Sequence, residues 1–184
     1  MKRKTSLTMI SATAALVLFG LSLMPASAED KSPVAGLPGG ASSLQESYGD
    51  WSVACRIIDN TRQCAASQQQ MQQSGQRVLA IEVRDGKAGA LEATLVLPFG
   101  LLLDAGITLA VDEEKPGEAL RFSTCIPAGC LVPATFDAAM LERLRTGKVL
   151  KLGGTSADGQ MTPLSVSLNG FAAASDRLKA LIAS

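Results

Sequence analysis

The chain has 184 residues, with 17 lysines and arginines against 17 aspartates and glutamates, four cysteines and no histidine. The absence of histidine excludes a Ser-His-Asp triad, a Cys-His pair and an imidazole zinc site, and removes the one side chain that ordinarily titrates near neutrality. Basic residues interspersed with acids, and an aromatic share of only 4%, exclude the basic stripe that grips phosphates, so no nucleic-acid partner is expected.

Residues 1–28 read as a signal peptide. Lys2, Arg3 and Lys4 precede an apolar stretch from Met9 to Leu23, and Ala26-Ser27-Ala28 supplies the small-residue cleavage pattern. The uninterrupted apolar part is shorter than the roughly 20 residues of a spanning helix, so a chain cleaved after Ala28 is not expected to span a membrane. Cleavage leaves 156 residues, with 14 basic against 17 acidic, enough for one domain with its own core. The first cysteine is Cys55, so no thiol stands at the new terminus for lipid attachment. An exported chain is expected to work outside the cytoplasm.

Residues 29–47 contain Pro33, Gly36, Pro38, Gly39, Gly40, Ser42 and Ser43, a composition that predicts a flexible linker. Docking of Leu37 or Leu44 onto the domain is the competing arrangement. Residues 48–184 form the predicted domain. Trp51, Val53 and Cys55 alternate with Ser52, Ala54 and Arg56 as in a strand, and a second strand runs from Arg62 to Gln70. The glutamines from Gln68 to Gln73 are read as a solvated strand end before the Ser74-Gly75 turn. Further strands are predicted at Val78 to Arg84, Leu91 to Leu97 and Ile107 to Val111.

Between the last two lies an apolar connection, Pro98-Phe99-Gly100-Leu101-Leu102-Leu103-Asp104. Phe99, Leu101, Leu102 and Leu103 are the candidate interaction residues, and a core-filling role is the competing reading. Asp112-Glu113-Glu114 lacks the spaced ligand ladder of a calcium loop and reads as a solvated hairpin turn. Leu120 to Cys125 and Cys130 to Thr135 form the next predicted strand pair. The period then changes: Asp137 caps a helix with apolar positions Ala138, Leu141 and Leu144, which Gly147 stops. Lys148 to Leu152 and Met161 to Leu168 pair across a long tip, and Phe171, Ala174, Leu178 and Leu181 mark a closing helix. The class is mainly β, an antiparallel sandwich-like domain with one or two short helices.

Four cysteines in an exported chain imply two disulfides, for which three pairings exist. Cys55 with Cys64 and Cys125 with Cys130 are favoured, because each pair flanks a turn-like stretch. Spacings of C-x8-C and C-x4-C are neither the knuckles of a zinc site nor the C-x-x-C of a thiol oxidoreductase, and no cofactor is implied.

Tyr48-Gly49-Asp50-Trp51-Ser52-Val53-Ala54-Cys55 with Cys64, Leu97-Pro98-Phe99-Gly100-Leu101-Leu102-Leu103, Cys125-Ile126-Pro127-Ala128-Gly129-Cys130 and Leu168-Asn169-Gly170-Phe171 occur in this order and spacing. In this the chain resembles the invasion-associated locus B family. The resemblance implies a small exported bacterial protein of the periplasm or outer surface, linked through founding members to host-cell entry. It supplies no catalytic motif. The function expected is a non-catalytic binding module whose partner is an envelope or host-surface protein. The alternative is a carboxylate-based cell-wall hydrolase, for which Asp50, Asp104 and Glu142 are the candidate acids and a cleft-spanning pair is required.

Overall fold

The computed structural model describes residues 36–183 apart from Gln72, Ser74 and Gln76. The expected leader, residues 1–28, and the start of the expected linker lie outside the described residues. Ten strands and two helices follow in chain order. They are β1 (Ser43–Tyr48), β2 (Trp51–Ile58), β3 (Thr61–Met71), β4 (Arg77–Asp85), β5 (Leu91–Leu97), β6 (Thr108–Val111), β7 (Thr124–Ile126), β8 (Gly129–Phe136), α1 (Ala138–Thr146), β9 (Val149–Thr155), β10 (Met161–Ser167) and α2 (Phe171–Ala183). Two antiparallel sheets result, a larger one ordered β1-β2-β3-β4-β5-β8-β7 and a smaller one ordered β10-β9-β6.

Period-two patterning decides which face of the larger sheet is covered. Trp51, Val53 and Cys55 of β2, Leu79, Ile81 and Val83 of β4, and Leu91, Leu95 and Leu97 of β5 are buried, while Arg56, Arg84 and Glu92 between them reach solvent. The buried face meets α2 through Phe171, Ala174, Leu178 and Leu181, and the smaller sheet through Leu150, Leu152 and Val111, in one continuous core. Helix α2 lies over β1 to β4, and α1 packs against α2 and β8. Among the described residues no helix or second sheet covers the other face of the larger sheet.

The turns carry the residues their geometry demands. β2 and β3 are joined by Asp59-Asn60, both at positive φ (48° and 59°), the two-residue form whose twist suits a tight hairpin. Asp137 caps α1 as expected, its carboxylate accepting from the Met140 backbone N–H at 2.8 Å. Gly147 ends α1 with an extended backbone instead of a left-handed one (φ −74°). Its smallness is what the site uses, because a Cβ there would stand 2.4 Å from Val111 Cγ1.

Both disulfides form as paired in the sequence reading. Cys55 faces Cys64 directly across β2 and β3 with Cα atoms 4.1 Å apart, and Cys125 faces Cys130 across β7 and β8 at 3.9 Å.

Three expectations need correction. The linker of 29–47 does not extend through its described part. Leu37 is buried in the core and Ser43–Tyr48 pairs with β2 in unbroken register, because Leu44 and Tyr48 alternate onto the covered face. Leu120 to Ser123 is not strand. Only Leu120 bridges back, exchanging backbone hydrogen bonds of 2.8 and 2.9 Å with Ile107, and β7 is confined to three residues. The glutamine cluster is not simply a solvated strand end either. Gln68 is buried, donates to the Ser167 carbonyl at 2.8 Å and accepts from the Ser167 N–H at 3.2 Å. Gln70 likewise donates to the Ser165 carbonyl. Two carboxamides on β3 thus satisfy the backbone of β10, an edge strand that would otherwise bury unpaired polar groups.

Candidate functional site

Two constellations named by the sequence are assembled by the fold, and they do different things. The first joins the two ends of the domain. Trp51 is buried, donates its indole Nε1–H to the Ser167 carbonyl at 2.9 Å, and meets Phe171 edge-on with ring centroids 4.9 Å apart. Asp50 accepts from the Ser167 hydroxyl at 2.6 Å, and its backbone N–H donates to the Asn169 carbonyl at 3.1 Å. Gly49 and Gly170 make the close approach possible: both lie at positive φ, and a Cβ on Gly170 would fall 1.9 Å from the Tyr48 carbonyl oxygen. Tyr48-Gly49-Asp50-Trp51 and Leu168-Asn169-Gly170-Phe171 are therefore a clasp between the first hairpin and the last helix. The Asp50 carboxylate and the Trp51 indole are both engaged by Ser167, and the Tyr48 hydroxyl by Glu46, which is a structural role.

The second constellation is a rim along one end of the larger sheet. Antiparallel pairing brings the end of β3, the end of β5 and the β7–β8 turn side by side. Phe99 is 64% exposed there, and with Met71, Pro98, Pro127 and Ala128 it lines a depression of about 420 Å³. Met71, Leu102, Leu103 and Ile126 are also exposed. Behind the rim, on the open sheet face, Val96 and Leu131 pair across β5 and β8 and are half-buried. No ion pair among the described residues involves a rim residue.

The four leucine-run candidates do not behave alike. Leu101 turns inward onto the core and bridges to Ser156, while the Leu102 N–H donates to the Thr155 carbonyl at 2.8 Å and the Ala157 N–H to the Gly100 carbonyl at 2.8 Å. The run is thereby pinned to the tip of the β9–β10 hairpin, with Phe99, Leu102 and Leu103 held outward. Core filling accounts for Leu101 alone. Met71, Ile126 and Pro127 belong to the same rim and were missed in the sequence because they sit at or just beyond the ends of strands far apart in the chain. Only the strand order reveals that these strand ends are neighbours.

The candidate acids are not brought together. Asp50 belongs to the clasp, Asp104 lines a shallow depression with Arg121 and Phe122, and Glu142 is exposed on α1. The acidic run after β6 is committed to structure. Asp112 accepts from the Lys148 and Val149 N–H groups at 3.0 to 3.2 Å, Glu113 pairs with Lys151 at 2.6 Å and Glu114 with Arg143 at 3.3 Å. The carboxyls of Glu46, Asp176 and Asp158 are held below their ordinary range by hydrogen bonds from Arg177, Arg145 and Ser156 respectively. A general acid requires the opposite shift.

No helix among the described residues is long and apolar enough to cross a membrane. Residues 51–179 match the family described as Invasion associated locus B (IalB) protein. An invasion protein B homolog of Brucella abortus (strain 2308) is 44% identical over 149 residues, covering 80% of this chain and 86% of the relative. Invasion protein B of Bartonella bacilliformis is 39% identical over 186 residues, covering 98% and 99%. The crystal structure of invasion associated protein B from Bartonella henselae superposes with a TM-score of 0.71 at 38% identity, covering 76% of this chain and 97% of that one. The matched region runs from the clasp tryptophan to α2 and takes in both disulfides and the apolar rim, and the chain belongs to the invasion-associated locus B family.

Proposed function

We propose that this protein is an exported, non-catalytic binding module of the bacterial envelope or cell surface, and that the apolar rim around Phe99 is where its partner docks. One observation carries the reading: large apolar side chains are held outward on pinned backbone instead of collapsing inward. Phe99, Leu102, Leu103, Met71 and Ile126 are between 41% and 64% exposed, and they stand on strand ends and tight turns fixed by sheet pairing and a disulfide. Exposed apolar side chains on a rigid frame are the usual form of a docking surface, and an exposed aromatic among them is the usual anchor. The separation of the candidate acids and the structural commitment of the acidic run support the non-catalytic part of the reading. The relatives' designation as invasion proteins supports a partner in the envelope or on a host surface.

The test is a double substitution, Phe99→Ser with Leu102→Ser, followed by in-cell cross-linking and identification of what is attached. Captured partner is expected to fall at least about tenfold, while stability changes by no more than about 0.5 kcal/mol per site because both residues are exposed. Unchanged capture, or unfolding of the variant, overturns the assignment.

A further inference from the structure

Strand β1 forms one edge of the larger sheet, and its hydrogen-bonding phase can be worked out. The Ile57 N–H donates to the Ser42 carbonyl at 3.0 Å, which makes that pair a hydrogen-bonded one. Pairs alternate along an antiparallel ladder, so Leu44, Glu46 and Tyr48 direct their backbone groups at Cys55, Val53 and Trp51. Ser43, Gln45 and Ser47 direct theirs outward. The disulfide gives the same phase independently: Cys55 and Cys64 have Cα atoms 4.1 Å apart, the spacing of a non-bonded pair, so Cys55 bonds toward β1. Three backbone N–H groups and three carbonyls on β1 thus face away from the sheet, with no partner among the described residues.

The two edges of this sheet are built differently. β7 is three residues long and ends beside Pro127, features that blunt an edge. β1 has six residues, unbroken register, and neither proline nor lysine. Its single charge, Glu46, lies on the covered face and is neutralised by Arg177 at 2.7 and 2.8 Å. The side chains flanking the outward groups are Ser43, Gln45 and Ser47, small or uncharged, with no apolar anchor for the alternate pockets by which a foreign peptide strand is selected.

We infer that β1 is a self-association edge, at which two copies of this protein pair β1 against β1, antiparallel, about a twofold axis. The register follows from the phase. With Gln45 opposite its counterpart, Ser43 meets Ser47 and Ser47 meets Ser43, so every outward donor and acceptor on both strands is used. Glu46 then falls opposite Leu44 and not opposite another Glu46, which avoids the like-charge pair that a shift of one step along each strand would create. A six-residue edge alone buries less than the roughly 1,200 Å² of a stable interface, so the pair is transient and concentration-dependent. This surface is separate from the rim around Phe99, and its failure leaves that reading untouched.

The test is sedimentation velocity on the full protein as purified from cells, combined with hydrogen exchange at rising concentration. Dimer is expected to accumulate, with the amides of Ser43, Gln45 and Ser47 slowing as it does while Leu44 and Glu46 stay as they were. Gln45→Pro removes the central donor of both strands without touching a bond to β2, and Gln45→Lys sets two ammonium groups against each other at the axis. Each should weaken association about tenfold or more. A protein still monomeric at about 1 mM overturns the proposal. So does unchanged association in both variants. Slow exchange of the three amides in the dilute monomer would assign the edge to this chain's own residues, and slowing only on addition of another protein would assign it to a foreign strand. Either overturns self-pairing.

Discussion

Gly170 shows how a single absent methyl group decides whether the domain closes. Its backbone lies at φ 89°, and a Cβ would overlap the Tyr48 carbonyl oxygen at 1.9 Å. Gly159 in the β9–β10 turn has a similar φ of 83° but open space where a Cβ would go. The pair separates backbone strain from collision. Gly159→Ala should cost about 1 kcal/mol, the price of the left-handed conformation, whereas Gly170→Ala should cost more than about 2 kcal/mol because collision adds to strain. Urea unfolding midpoints read both, and equal losses at the two sites would show that the clasp tolerates a side chain. Trp51 and Phe171 are legible as core from their apolar character. Gln68 is not, because a buried carboxamide is recognisable only by its partner, and Ser167 lies 99 positions away.

β1 joins a local hairpin with β2 to one contact far away in sequence. Ser43-Leu44-Gln45-Glu46-Ser47 alternates only weakly in polarity and follows a Gly- and Pro-rich stretch, which is why it reads as linker. What holds its covered face is Arg177 on α2, reaching back 131 positions to Glu46. The Arg177 guanidinium, assisted by the Tyr48 hydroxyl, keeps the Glu46 carboxyl below its ordinary value of 4.5. A carboxyl with a depressed folded pKa contributes stability that is fully present above the unfolded value and is lost as pH falls through the lower folded one. Stability should therefore decline on acidification below about pH 4.5. Glu46→Gln should flatten part of that decline in denaturant midpoints measured from neutral pH to about pH 3. An identical slope in wild type and variant would show that the pair contributes nothing. Asp176, held down by Arg145, acts with the same sign. The two disulfides differ in the opposite direction from their sequence spacing. The wider pair, Cys55–Cys64, is buried at both ends, while Cys125 of the tighter pair is exposed. Under mild reductant, alkylation should appear first at Cys125 and Cys130 and reach Cys55 and Cys64 only once the core opens. Simultaneous labelling of all four would contradict the burial difference.

At the scale of the whole molecule, the fold class was readable because its main signals are local. Nine of the strand segments carry their own alternation or turn residues, and both helices carry a cap or a three-to-four period. Which strands make up each sheet was not readable, since it depends on which strands meet, and nothing near β6 states that it joins β9 instead of β5. The rim was half legible for the same reason: Phe99 and its leucines stand together in sequence, but Met71 and Pro127 join them only through strand order. The clasp has a further consequence, which concerns timing. It joins residues 48–51 to residues 167–171, and the strand leading into it is satisfied by β3, so the native core cannot close until residues some 120 positions apart have met. Such long-range closure makes folding slow and late. Until then the covered faces of β2, β4 and β5 stand without the helix that seals them.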